Sequence, residues 1–169
     1  MTSAAEYSFE QCGADEVADA FQVYVRRIDW MNLKGLRHWN YFHYLEIFPI
    51  SYFEERQRNG ELFLLKNESS VIVGVGTLLT HDDGWEDSAK ISAYYVHNLV
   101  TDPAVRGAGF VMMRFFYEKA VGDGKEALRL DCDVDSDFLN DYYEKLGFKL
   151  AGRCAYGPYR GFRRQLTLS

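Results

Sequence analysis

The stretch Ala93-Tyr-Tyr-Val-His-Asn-Leu-Val-Thr-Asp-Pro-Ala-Val-Arg-Gly-Ala-Gly-Phe-Val-Met-Met113 constrains this chain more than any other. Its aromatic and β-branched residues predict a strand, Pro103 marks a turn, Arg106-Gly-Ala-Gly109 forms a loop of small residues, and an apolar helix follows. A loop that leaves a strand and opens a helix aims several unpaired backbone N–H groups, and the positive end of the helix dipole, at one point. Such a point suits a phosphate. Arg106 adds a permanent charge that forks onto phosphate oxygens, which favours a pyrophosphate-bearing ligand over a neutral one. The loop is neither of two familiar kinds. A dinucleotide fingerprint needs a third glycine where Met112 stands, and a Walker loop needs Gly-Lys-Ser/Thr after the second glycine. Taken alone, a Gly-x-Gly serves equally well to end a turn.

With 169 residues, 47% of them apolar and 16% aromatic, the chain has material for one core, and a single domain spanning residues 1–169 is expected. A net charge of −6 argues against a surface built for a phosphate backbone, so no nucleic-acid partner is expected. The longest apolar run, Val71 to Leu79, is far short of a membrane span, and the N-terminal residues lack a signal-peptide layout. No membrane partner and a cytoplasmic location are therefore expected. Cys12, Cys132 and Cys154 are odd in number and widely spaced, which suggests neither a disulfide framework nor a zinc site.

In chain order, Tyr7 to Gln11 reads as a short strand. Asp15 to Ile28 reads as an amphipathic helix with Val17, Phe21, Tyr24, Val25 and Ile28 at helical spacing. Trp30 to Phe48 is aromatic but aperiodic, an irregular connection. Ser51 is placed as the cap of a second helix reaching Arg58, closed by Asn59-Gly60. Glu61 to Lys66 and Val71 to Thr80 make a hairpin about an Asn-Glu-Ser-Ser turn, His81 to Ser88 a polar loop, and Ala89 to Thr101 a long strand. A helix then runs until Gly122-Asp-Gly124 stops it. Ala127 to Cys132 is a strand. Asp137 to Leu146 is a helix with Phe138, Leu139, Tyr142, Tyr143 and Leu146 on its buried side, and Phe148 to Cys154 and Phe162 to Leu168 are final strands.

Two motifs in this order carry a resemblance. Leu99-Val-Thr-Asp-Pro103 with Arg106-Gly-Ala-Gly109 resembles the fourth-strand end and acyl-CoA pyrophosphate loop of the GNAT-type N-acetyltransferases. Leu128-Arg-Leu-Asp-Cys132 with Tyr142-Tyr-Glu-Lys-Leu-Gly-Phe148 resembles their fifth strand and Tyr-x-x-x-Gly-Phe helix end. The resemblance covers nearly the whole chain and implies an α/β fold with a mixed, mostly antiparallel central sheet flanked by helices. Two departures stand out. The superfamily loop, Gln/Arg-x-x-Gly-x-Gly/Ala, fits with one mismatch whether it starts at Arg106 or at Ala104. Many relatives also carry Asn seven residues before the helix tyrosine, where this chain has Ser136, with shorter reach and no amide donors.

What the resemblance implies is an acetyl-CoA-dependent N-acetyltransferase acting on a primary amine by direct attack, without a metal. Arg106 and the amides of Gly107, Ala108, Gly109, Phe110 and Val111 would surround the pyrophosphate. Leu99, Val100 and Thr101 would offer backbone groups to the pantetheine arm, and Ser136 would make a further cofactor contact. Tyr143 matches the general acid, a phenol that is protonated at pH 7 and able to donate to a departing thiolate. For the base, His97 leads by its ordinary pKa, with Glu86, Asp87, Asp131 and Asp133 as alternatives acting through water. His38 and His43 lack ligand partners at metal-site spacing, and the Asp131 to Asp137 run lacks the Gly and terminal Glu of a calcium loop. The aromatics of Trp30 to Phe48, with Glu46, are open to three readings: an acceptor site, an auxiliary core, or a homodimer surface. A non-catalytic acyl-CoA-binding protein on the same fold is the rival function, since a fold does not establish an activity.

Overall fold

The computed structural model describes residues 6–169. Among them lie seven strands: β1 (Ser8–Gln11), β2 (Leu62–Lys66), β3 (Ile72–Leu79), β4 (Ala93–Thr101), β5 (Ala127–Asp133), β6 (Lys149–Tyr156) and β7 (Tyr159–Thr167). They hydrogen-bond in the order β1-β2-β3-β4-β5-β7-β6. The β4–β5 pair is parallel, whereas β1–β2, β2–β3, β5–β7 and β6–β7 are antiparallel. The helices are α1 (Val17–Leu33), α2 (Tyr44–Ile47), α3 (Ile50–Arg58), α4 (Ala108–Gly122) and α5 (Asp137–Lys145). This is the expected α/β architecture with a mixed, mostly antiparallel sheet. The chain divides into two compact units. One comprises residues up to Thr77 with Asn98–Phe115, and the other Leu78–His97 with Phe116–Ser169.

In the first unit, α1 buries Val17, Ala20, Val23 and Tyr24, the three- and four-residue spacing that places side chains on one helix face. They join Phe53 of α3, Leu62 and Leu64 of β2, and Ile72 and Val75 of β3 in one core. Tyr24 and Phe53 are fully buried there, and sealing each large apolar side chain contributes about 1.5–3 kcal/mol. Two boundaries differ from expectation. Helix α1 does not stop at Ile28 but runs to Leu33, because the first residue able to end it cheaply is Gly35 (φ +65°). There the Leu36 amide reaches back to the Met31 carbonyl at 3.0 Å. Helix α3 is capped by Pro49 and not by Ser51, which lies inside the helix. The β2–β3 turn forms as expected, with Asn67 Oδ1 accepting from the Ser69 and Val71 amides at 3.0 Å each.

The second unit packs Trp85, Ala93, Tyr95 and Ala127 together. Arg129 is only 2% exposed, yet every part of its head group is engaged. It forks onto Asp87 at 2.8 and 3.0 Å, meets the Tyr95 hydroxyl and Gln165, and lies 4.4 Å over the Trp85 ring. A buried guanidinium is tolerable only when satisfied in this way. Helix α5 buries Tyr143, but Phe138, expected on its inner side, is 76% exposed. It stands in the first turn, stacked on Tyr142 at the surface.

Candidate active site

Strand β4 carries a distortion that sequence reasoning missed. Asn98 adopts φ +53°, a left-handed conformation open to Asn more readily than to β-branched neighbours but still costing about 1–3 kcal/mol. A polar cage holds it there. The Tyr24 hydroxyl donates to its backbone carbonyl, the Tyr52 and Thr77 hydroxyls donate to Oδ1 at 2.9 and 3.0 Å, and its Nδ2 donates to the Tyr44 hydroxyl at 2.8 Å. The signal available in sequence was an Asn inside an otherwise apolar strand, residue chemistry that favours a bulge or a turn.

Beyond this kink come Leu99, half-buried, Val100, whose side chain enters the core, and Thr101. The Thr101 carbonyl, expected to be available to a ligand, already accepts from Arg27 Nη2 and Nε at 2.8 and 3.1 Å. Asp102 then organises the turn. Its amide donates to the Val73 carbonyl, its Oδ1 accepts from Ala104, and its carbonyl accepts from Val105. Gly107 has φ +79°, a conformation that favours glycine, and a Cβ there would meet nothing within 4 Å. Ala108 is buried at the start of α4, Gly109 follows it, and Phe110 is exposed. The Val111 amide, expected among the open donors, is instead spent inside the helix on the Gly107 carbonyl at 3.2 Å. The amides of residues 107–110 are those for which an α-helix offers no internal acceptor. Arg106 is exposed beside them. A loop with open space over its glycine, first-turn amides and an exposed guanidinium has the chemistry of an anion cradle.

The second unit holds the titratable groups. Parallel pairing of β4 with β5 covers Ala93–Tyr95 against Ala127–Arg129, whereas β5 remains paired with β7 through Asp133. On β4, His97 Nε2 lies 2.7 Å from Asp82 Oδ2. Burial opposes protonation of this imidazole, but the Asp82 hydrogen bond and the charges of Asp131 and Asp82 outweigh it and raise its pKa above the ordinary 6.5. Asp82 responds in the opposite sense. Burial pushes its carboxyl up, and the hydrogen bond and charge of His97, with the Gly84 amide and Arg163, bring it below 3.8. On β5, Asp131 Oδ1 accepts from the Tyr159 hydroxyl at 2.6 Å. Burial and the same Asp131 push the Tyr159 phenol far up, so it remains a donor. An open cleft of about 410 Å³ lies along the neighbouring hairpin, lined by Val134, Arg153, Cys154, Arg160 and Phe162.

Tyr143 is 8% exposed, edge-on to Tyr142 at 5.2 Å and to Phe148 at 5.7 Å. No group among the described residues accepts its hydroxyl proton. Burial first, then Tyr142, Cys132 and Asp131, pushes its pKa well above 10. Asp131 therefore bears on both predicted catalytic side chains, His97 and Tyr143. Ser136 caps α5, its Oγ accepting from the Leu139 amide at 3.3 Å, so its hydroxyl oxygen has a structural partner. Asn140, one turn on, gathers what surrounds it. Its Nδ2 donates to the carbonyls of Asp133 and Ser136, and its Oδ1 accepts from Arg164.

The remaining base candidates are accounted for. Asp87 is committed to Arg129, Asp133 accepts from the Asp135 amide at 2.9 Å in the turn before α5, and Glu86 is exposed on its loop. Asp82 was missed by sequence reasoning, because nothing in the local pattern distinguishes it from its neighbour Asp83. Of the aromatics in residues 30–48, Trp39 stacks on Tyr44 at 4.2 Å and Phe48 packs on Tyr44 at 4.9 Å, all within the core of the first unit. Glu46 is exposed beside His43. Among the described residues no group of three His, Cys, Asp or Glu is placed to hold a metal, and no helix is long and apolar enough to cross a membrane.

The family model for the acetyltransferase (GNAT) family matches residues 28–148. An uncharacterized N-acetyltransferase of Bacillus subtilis (strain 168), YesJ, is 25% identical over 149 residues, covering 85% of this chain and 81% of that protein. A GNAT-family acetyltransferase structure from Listeria monocytogenes superposes with a TM-score of 0.82 at 22% identity over 99% of each chain. The PaiA N-acetyltransferase of Thermoplasma acidophilum, solved in complex with coenzyme A, gives a TM-score of 0.70 at 14% identity, over 96% of this chain and 99% of that one. The family model spans well over half of the sequence and the fold agrees along its whole length: the chain belongs to the GNAT family of acetyltransferases.

Proposed function

We propose that this acyltransferase moves the acetyl group of acetyl-CoA to the primary amine of a small molecule or peptide by direct attack, with Tyr143 as general acid and His97 as base. The observation that carries the reading is the Tyr143 hydroxyl, held on a buried ring with no acceptor for its proton among the described residues. Coenzyme A in the Thermoplasma relative supports the choice of cosubstrate. The loop chemistry supports it too, with Arg106 and the amides of Gly107, Ala108, Gly109 and Phe110 around the pyrophosphate. The Val111 amide and the Thr101 carbonyl drop out of the donor and acceptor set, since each has a partner already.

In this reaction His97 takes a proton from the acceptor ammonium, and the freed nitrogen attacks the thioester carbonyl. As the C–S bond breaks, Tyr143 passes its phenolic proton to the sulfur, and the second proton that the nitrogen loses as the amide forms restores the phenol by way of water. Burial that raises the Tyr143 pKa keeps that proton on the phenol at neutral pH, so it is present as a donor when the thiolate departs. The three cysteines are free, as a reducing compartment leaves them, and we place the reaction in the cytoplasm.

The test is acetyl-CoA turnover against an amine panel: a polyamine, an aminoglycoside, free amino acids and a peptide N-terminus. Transfer to at least one class, undiminished by EDTA, is expected. Tight acetyl-CoA binding with no transfer to any amine would favour a non-catalytic acyl-CoA-binding protein instead.

A further inference from the structure

The β6–β7 hairpin closes in a two-residue turn, Gly157-Pro158, with Gly157 at φ +56° and Tyr156 paired with Tyr159. The register that follows sets Arg153 opposite Phe162 and Ala155 opposite Arg160. Cross-strand partners share a face, and so do residues two apart, so all four side chains stand on one side of the hairpin. The two arginines are diagonal neighbours, about 7–8 Å apart in a regular ladder, and side chains of their length reach a common third group from there. Their side is the one that bears α5. Phe162 pairs with Cys132, whose thiol donates to Asn140 Oδ1 at 3.3 Å, whereas Asp131 pairs with Arg163 on the opposite face.

The cleft of about 410 Å³ lies over this side of the hairpin. Its floor is closed, since a Cβ at Gly161 would stand 2.7 Å from Cys154 Sγ. Val134 forms a further wall, held there by its amide, which donates to the Arg160 carbonyl at 3.0 Å. Arg153 lies 5.3 Å over the Phe162 ring, an arrangement that uses the face of the guanidinium and keeps its N–H edge for acceptors. Neither Arg153 nor Arg160 has an ion pair or a side-chain hydrogen bond among the described residues. Other arginines of the chain are matched: Arg26 with Asp102, Arg56 with Glu61, Arg129 with Asp87. Here a chain of net charge −6 sets two unmatched cations side by side, where they repel unless an anion joins them.

We propose that this cleft binds a small organic oxyanion, a carboxylate or phosphate ester on a flat apolar body. The two guanidiniums hold the oxyanion between them, and Phe162, Ala155 and Val134 take the body. Guanidinium forks match both kinds of oxyanion, and the volume falls within the roughly 300–1,000 Å³ of small-molecule sites. A neutral ligand would leave both cations unmatched, and a bare inorganic anion would leave the apolar walls unused. The site shares no residue with the pyrophosphate loop, and the inference does not depend on acetyl transfer.

The experiment titrates the full chain with benzoate and phenyl phosphate, with benzamide as the neutral counterpart of benzoate and inorganic phosphate as an anion without a body. Binding is read from the ¹H–¹⁵N shifts of the assigned Val134, Ala155 and Gly161 amides, with and without saturating coenzyme A. Saturable shifts are expected with benzoate, phenyl phosphate or both, and the tighter of the two identifies the oxyanion. Benzamide and inorganic phosphate should bind about tenfold more weakly or worse. Arg153 and Arg160 are exposed, so Arg153→Gln and Arg160→Gln should fold as the wild type does. Each should weaken binding by about tenfold or more, the worth of a lost charge-assisted hydrogen bond. The shifts should persist when coenzyme A is present. No shift with either probe, benzamide or inorganic phosphate binding as well as the organic anions, or glutamine variants that bind like the wild type would overturn the proposal. Suppression of the shifts by coenzyme A would overturn it too, by assigning the arginine pair to the cosubstrate.

Discussion

Tyr142 and Tyr143 are adjacent, chemically identical and opposite in circumstance. The Tyr143 hydroxyl crowns a buried ring and is assigned a proton to donate. The Tyr142 hydroxyl is itself buried with no hydrogen-bond partner among the described residues. Tyr143→Phe keeps the ring against Tyr142 and Phe148, so fold and acetyl-CoA affinity should survive while kcat drops by about 10²–10⁴. Tyr142→Phe removes an unsatisfied buried group of a kind that costs about 1–3 kcal/mol, so it should melt at or above the wild type with unchanged kcat. A Tyr143→Phe protein within a few-fold of wild-type kcat, in a reaction limited by chemistry, would remove that residue from the role. The motif Tyr-x-x-x-Gly-Phe singled out Tyr143 in the sequence. It carried no sign that Ser136 would be capping α5, because a serine before a helix serves equally as cap or ligand contact until its neighbours are placed.

The turn from β4 into α4 is a device in which backbone and side chain have separate duties. Arg106→Ala should leave the loop intact and weaken acetyl-CoA binding, more strongly at low salt, where an exposed charge is less screened. Gly107→Ala acts on the backbone instead. At φ +79° an L side chain is strained even with open space around it, and the variant should lose about 1–2 kcal/mol of stability. With ligand at a hundred times its Kd the wild type should gain about 2.7 kcal/mol, and the same ligand concentration should stabilise Arg106→Ala less in thermal melts. Equal ligand shifts for Arg106→Ala and wild type would exclude the guanidinium from binding. At this scale the hydrophobic period located α1 and α4, but it placed the end of α1 five residues early. Periodicity reports where a helix is buried, and the exposed last turn of α1 is ended by Gly35 instead.

For the molecule as a whole, the Asp82–His97 pair links stability to pH with a definite sign. The folded state raises the His97 pKa above 6.5, so its contribution is complete below that value and is lost as pH climbs through the raised one. It lowers the Asp82 pKa below 3.8, so that contribution is present above 3.8 and is lost as pH falls through the depressed value. The melting temperature of the wild type should therefore exceed that of Asp82→Asn by most between about pH 4 and 6.5 and converge toward it at higher pH. A difference that grows from pH 6.5 to 9 would contradict the pair as the source.

Local chemistry legible along the chain determined the family and most of the elements. Val17, Ala20, Val23 and Tyr24 mark a helix face, Asn67 to Ser70 a hairpin turn, Arg106 to Gly109 the small-residue loop that opens a helix, and Tyr143 to Phe148 the helix end that names the superfamily. Those features depend on neighbours a few residues apart, and a sequence displays such neighbours directly. Only the tertiary structure decided which groups are already spent: Thr101 by Arg27, Asp87 by Arg129, Asn98 by three tyrosines and a threonine. It alone also brought Asp82 to His97 across a separation of 15 positions. A hydrogen bond between distant residues leaves no periodicity and no spacing rule, since its two ends are joined by the path of the backbone and not by their own chemistry.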